Sequence, residues 1–130
     1  MPAIVKKLPD QPIVIVSIQN YITVDDARAV YQQLAKIAAD IDGTVYRITD
    51  VCQMTMTFQE MIAIVREAMR GAPGSTSDPR IKNIFVGQNC LAEVAQDLMA
   101  KQGVDILMFD TMQEAMDYIQ QQIDESQYRE

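Results

Sequence analysis

Three times in this chain a threonine stands three residues ahead of an acid: Thr23 with Asp26, Thr57 with Glu60, and Thr111 with Glu114. That spacing is the capping box, in which the hydroxyl accepts from a backbone N–H of the first helical turn and the acid reaches back. Apolar residues recur at helical spacing after each one. After Thr23 they are Ala27, Val30, Tyr31, Leu34, Ile37, Ala38 and Ile41. After Thr57 they are Met61, Ile64, Val65, Ala68 and Met69, and after Thr111 they are Ala115, Tyr118, Ile119 and Ile123. A further helix without the box is expected over residues 90–102, with Gly103 as its stop.

Between these helices lie β-rich runs. Residues 13–18 (IVIVSI) are nearly all β-branched, the signature of a strand buried on both faces. Residues 44–49, 81–86 and 105–109 read as the next strands. In the second of these four, Arg47 and Thr49 suggest a face that is partly wet or beside an edge. Residues 3–6 form a short strand, separated from residue 13 by a turn with Pro9, Asp10 and Pro12, and are expected to pair antiparallel at an edge. The predicted class is α/β: four βα units on a mainly parallel sheet with right-handed crossovers, plus a short N-terminal antiparallel strand. The pattern leaves open whether the helices cover one sheet face or both. Residues 71–79 (GAPGSTSDP) read as a mobile, solvated connector, and residues from 124 as a polar tail that frays.

The chain has 130 residues, which predicts a single domain able to bury roughly two-thirds of its extended surface. Eighteen acids against 11 bases give a net charge of −7, which disfavours nucleic acid and favours a basic partner. There is no histidine, so Ser-His-Asp and Cys-His catalysis, histidine-ligated metals and a histidine pH switch are excluded. Cys52 and Cys90 are far apart and form no CxxC, consistent with reduced thiols and a cytoplasmic location. The start, MPAIVKKLPDQP, lacks the apolar run of a signal peptide, and the strongest apolar block, residues 13–16, is too short to span a bilayer.

Residues 50–57 draw the functional expectation. Asp50 is read as ending the second long strand, and Thr57 as capping the next helix. Between them a predicted loop carries Cys52, Met54, Thr55 and Met56. Ligands and partners of βα units meet the loops at the carboxyl ends of strands. The candidate surface is therefore Asp50, Cys52, Met54, Thr55, Met56 and Thr57. Met54, Met56 and Cys52 form a soft, uncharged group that either offers an adaptable binding surface or folds onto the core. Thr55 and Thr57 are candidate phosphate acceptors, although the hydroxyl of Thr57 has a plainer use as the N-cap. Cys52 has no histidine or lysine beside it in sequence to make it reactive, so a structural role is expected. Asp50 and Asp110 both follow apolar runs and could share a Mg²⁺ ion; a receiver-type phosphoacceptor would also place an Asp at a strand end, but that site needs further acids where Gln19 and Asn20 stand. Capping a turn or the next helix is the plainer role for each. No catalytic residue, metal or cofactor is assigned.

Three segments carry a family resemblance. SIQNYITVDDARAVYQQL looks like the first strand-to-helix passage of the STAS / SpoIIAA-like family, TVYRITDVCQMTMTFQEM like its second strand and regulatory loop, and ILMFDTMQEAMDYI like its last strand and capped helix. The resemblance runs over residues 3–123 and implies stacked βα units after an antiparallel N-terminal strand. In anti-sigma factor antagonists of that family the loop carries an Asp followed by a phosphorylated Ser-Ser or Ser-Thr element. Here Asp50 matches, the serine element is absent, and Thr55 and Thr57 supply the only hydroxyls. The resulting expectation is a non-catalytic regulatory or interaction module that docks a protein through residues 50–57 and the following helix. The alternative is a small apolar-ligand carrier or sensor, because the SpoIIAA-like fold is similar to that of lipid-carrying CRAL-TRIO domains. A homodimer through a methionine- or tyrosine-bearing helix face is left open.

Overall fold

The computed structural model describes residues 3–128. The elements are β1 (Ala3–Lys7), β2 (Ile13–Tyr21), α1 (Val24–Ala38), β3 (Val45–Thr55), α2 (Phe58–Ala68), β4 (Ile81–Val86), α3 (Cys90–Ala100), β5 (Ile106–Phe109) and α4 (Met112–Tyr128). One sheet has the order β1-β2-β3-β4-β5, with β1 antiparallel to β2 and every other pair parallel.

That order decides which face each helix covers. The chain steps from β2 to β5 in one direction, and right-handed crossovers made in one direction place their helices on the same side. Val14, Val16 and Ile18 of β2 accordingly pack with Val30, Leu34 and Ala38 of α1, while Met61, Val65 and Ala68 of α2 pack with Ala95 and Met99 of α3. After β5 no crossover remains, and α4 covers the opposite face. Its Ala115 and Ile119 are fully buried against Ile13, Tyr46, Ile48, Ile84 and Val86. The alternation along β2, with Ile13 to one side and Val14 to the other, is the period of two expected of a strand buried on both faces.

The helix starts form as their caps dictate, with one difference. Thr23 and Asp26 make the full reciprocal box. Thr57 accepts from the backbone N–H of Glu60 at 3.0 Å, but no return bond from the Glu60 carboxylate is made. Thr111 accepts from Glu114 N and also donates to its carboxylate. The helix α4 continues through most of the polar stretch expected to fray, as far as Tyr128. Among the described residues, no helix is long and apolar enough to cross a membrane.

Two expectations need correcting. The first concerns residues 71–79, read as a solvated connector. The rim of this segment is exposed, but Gly74, Ser75 and Thr76 are buried, with Ser75 showing no exposed surface. Hydrogen bonds from Ser77 to Ala68 O and from Asn83 to Thr76 O hold the segment down. The second concerns Arg47 and Thr49. They do not mark a wet face or an edge: β3 is the central strand, and they are 4% and 8% exposed.

Candidate functional site

The stretch expected to be a loop after Asp50 is mostly strand. β3 continues to Thr55, and β2 runs alongside it to Tyr21, so both project beyond the last pairing of β3 with β4, at Asp50 and Val86. The apolar rhythm misleads here because the register shifts. Ser17 pairs with Asp50, but Gln19 pairs with Gln53, so Val51 and Cys52 together oppose Ile18. This is a β-bulge, and its extra residue reverses which side chains point inward. Before it, odd-numbered Val45 faces the three-helix side; after it, even-numbered Met54 does. Asp50 therefore does not end the strand. Its carboxylate accepts from Cys52 N–H at 3.0 Å and closes the bulge.

The six predicted residues thus divide. Met54 is 9% exposed and packs in the core, and half-buried Met56 packs beside it. This selects the core alternative for the methionine pair. Thr57 is the N-cap of α2. Cys52 is exposed, but its sulfur lies against Gly87, where a Cβ would come within 2.2 Å of it. Partial desolvation, then hydrogen bonding and charge from Asp50, push its thiol pKa up, away from the reactive thiolate. Thr55 is exposed at the tip, paired with Tyr21. Asp110 is not brought to Asp50. Asp50 pairs with Val86 and Val86 with Phe109, so Asp110 follows a strand two places away, roughly 10 Å by strand spacing. Among the described residues, no group of three His, Cys, Asp or Glu is placed to hold a metal ion.

Sequence reasoning passed over Asn89, which organises the base of this projection. Its Oδ1 accepts from Leu91 N–H and Ala92 N–H and caps α3, while its amide donates to Val51 O at 2.9 Å and Met54 O at 2.8 Å. One side chain ties the bulge to a helix start. The capping preference of asparagine was legible; its second set of bonds, to residues more than 30 positions away, was not.

The exposed part of the projection is aromatic and polar. Tyr21 is 44% exposed and Phe58, the first residue of α2, is 59% exposed. Gln19, Asn20, Gln53 and Thr55 are exposed around them. Asn20 adopts a positive φ of 65°, a conformation asparagine tolerates better than most residues, and Ile22 then turns inward and donates its N–H to Thr55 O.

Beneath the projection, between the sheet and α1, α2 and α3, lies a cavity of about 80 Å³. Met54 and Met56 line it together with Ile22, Val51, Met61 and Ala95. Its polar lining comes from Arg47, Thr49, Tyr31 and Thr76. Arg47 donates to Gly74 O and Thr76 Oγ1, each at 3.0 Å, and to Asn83 Oδ1, and it sits 5.4 Å from the centre of the Tyr31 ring. Burial pushes its guanidinium pKa down, while the charges of Tyr31 and Asp78 act in the opposite sense. Asp78 is itself engaged by Gly74 N–H and Arg80 N–H.

No protein-family model and no curated protein matches the sequence. Among solved structures the chain is similar to the crystal structure of an uncharacterised protein of the DUF3478 family from Shewanella loihica PV-4, described as having a SpoIIAA-like fold. The TM-score is 0.59 at 13% sequence identity, over 89% of this chain and 90% of that one. With its five-stranded sheet, antiparallel first strand and four helices, the chain has a SpoIIAA-like α/β fold.

Proposed function

We propose that this chain is a non-catalytic regulatory or interaction module of the cytosol that docks a protein partner through the ends of β2 and β3 and the start of α2. The observation that supports this reading is the pair of exposed aromatic residues, Tyr21 and Phe58, on a projection beyond the covered sheet. Aromatic side chains of this kind serve as anchors at protein interfaces. The net charge of −7 suits a partner that is basic around an apolar pocket. Phosphate on exposed Thr55 would add charge at the centre of that surface. The test is quantitative co-isolation from the protein's own cells with Phe58→Asp and Tyr21→Asp, using Val94→Asp on α3, also 40% exposed, as the control. A partner lost with the first two and kept with the third supports the reading. A partner retained by all three, or steady-state turnover of a small molecule by the purified chain, refutes it.

A second reading, the carrier or sensor of a small apolar ligand, is favoured by one observation: the cavity under Met54 and Met56. A ligand there would touch the underside of the same projection, so the two readings are physically compatible.

A further inference from the structure

Arg47 is a buried cation with no carboxylate in ion-pair contact among the described residues; the Tyr31 ring, 5.4 Å away, and the charge of Asp78 offset its burial only in part. A guanidinium has five N–H donors. Arg47 makes three hydrogen bonds, one from Nη1 to Gly74 O and two from Nη2, to Thr76 and Asn83. One donor on Nη1 and the single donor on Nε have no acceptor among the described residues. All three acceptors are neutral, and no carboxylate among the described residues lies within ion-pair distance. Burying an unpaired charge is costly, and folds retain one where something supplies the opposite charge. Thr49 lies two residues along the same strand face and also lines the cavity, and its hydroxyl makes no hydrogen bond among the described residues. The remaining wall is apolar: Ile18, Ile22, Val51, Met61, Ala95 and Met99.

We propose that this cavity binds a small monocarboxylate with an apolar tail, the carboxylate accepting from the free N–H donors of Arg47 and from the Thr49 hydroxyl. The proposal rests on the carrier reading and gives it a ligand class. Size sets the tail. A water needs about 10–15 Å³ by the measure in which this cavity has 80 Å³, so the space suits on the order of five to eight heavy atoms. A short-chain fatty acid such as pentanoate fits that range, and a membrane lipid does not. The binding adds the missing charge where the dielectric is low and leaves the bonds from Arg47 to the 74–76 segment in place.

The test is isothermal titration calorimetry of the full chain with pentanoate, with 1-pentanol as the neutral match. One pentanoate per chain is expected, with pentanol weaker by about tenfold or more, the loss typical of a charged hydrogen bond. Thr49→Val, which breaks none of the loop's bonds, will weaken pentanoate by several-fold. Arg47→Gln will weaken it by about ten- to a hundredfold. Ala95→Leu, which fills the cavity without touching Arg47, will abolish binding while circular dichroism shows the fold kept. Pentanol binding as tightly as pentanoate, with both blocked by Ala95→Leu, would overturn the carboxylate and leave the apolar carrier standing. Pentanoate binding that survives Ala95→Leu would place the anion elsewhere and overturn the site. Failure of both probes to bind at millimolar concentration would remove the proposal together with the carrier reading.

Discussion

Alanine at Gly74 will destabilise this protein far more than alanine at Gly71, although the two glycines have nearly the same backbone conformation, with φ of +81° and +76°. At either position an alanine is forced into the left-handed region, at a cost of about 1–2 kcal/mol. At Gly71 nothing lies within 4 Å of the added carbon, so strain is the whole effect. At Gly74 the carbon would sit 2.2 Å from Tyr31 O and 2.6 Å from Ala35 N, both backbone atoms of α1. Ordinary contact begins near 3.4 Å, so the segment or the helix must move by about 1.2 Å. Overpacking of this kind adds about 1–3 kcal/mol. The movement also pulls Gly74 O from Arg47 and leaves a buried donor unpaired, at about 1–3 kcal/mol. The sum is about 3–8 kcal/mol, a large fraction of the stability of a domain this size. Urea unfolding of both variants, followed by circular dichroism, measures the difference as a shift in midpoint at constant slope. If Gly71→Ala and Gly74→Ala lose equal stability, the close approach of the 74–76 segment to α1 is not what requires glycine there, and the reasoning fails.

Two further outcomes follow from the site geometry. Asn89→Ala removes the cap of α3 and strips Val51 O and Met54 O of their donor; a loss of about 2–4 kcal/mol is expected in urea unfolding, and Asn89→Asp, which keeps the cap but sets a carboxylate against those carbonyls, will not restore it. At Cys52, partial desolvation and then Asp50 hold the thiol in its protonated form, so Asp50→Asn will lower the thiol pKa and raise the iodoacetamide alkylation rate at neutral pH; an unchanged rate would show that Asp50 does not act on the sulfur.

Much of the fold was legible because its signals are local. Thr23 and Asp26 lie one helical turn apart, as do Thr57 and Glu60, and Thr111 and Glu114, so the helix starts could be read from residues that touch their own neighbours. The runs at residues 13–18 and 81–86 gave their strands for the same reason. The conformation of residues 50–55 was not legible in this way. The bulge at Val51 and Cys52 inserts a residue into the rhythm of two, so a strand read by alternation seemed to stop at Asp50 when it in fact continues to Thr55. Likewise Arg47 carried the sequence signature of an edge, since a charge in a strand is usually solvated.

The sequence by itself determined the alternation of strands and helices, the antiparallel first strand and the absence of histidine chemistry. Each depends on composition or on residues a few positions apart. The tertiary structure alone decided the rest. It assigned α4 to one sheet face and α1, α2 and α3 to the other, buried Met54, and separated Asp50 from Asp110. It also brought Gly74, Thr76 and Asn83 to Arg47 across 27, 29 and 36 positions of chain. The physical reason is that an apolar period tells how a segment buries itself, while the partner of a buried charge is set by which distant segments the sheet order carries past it.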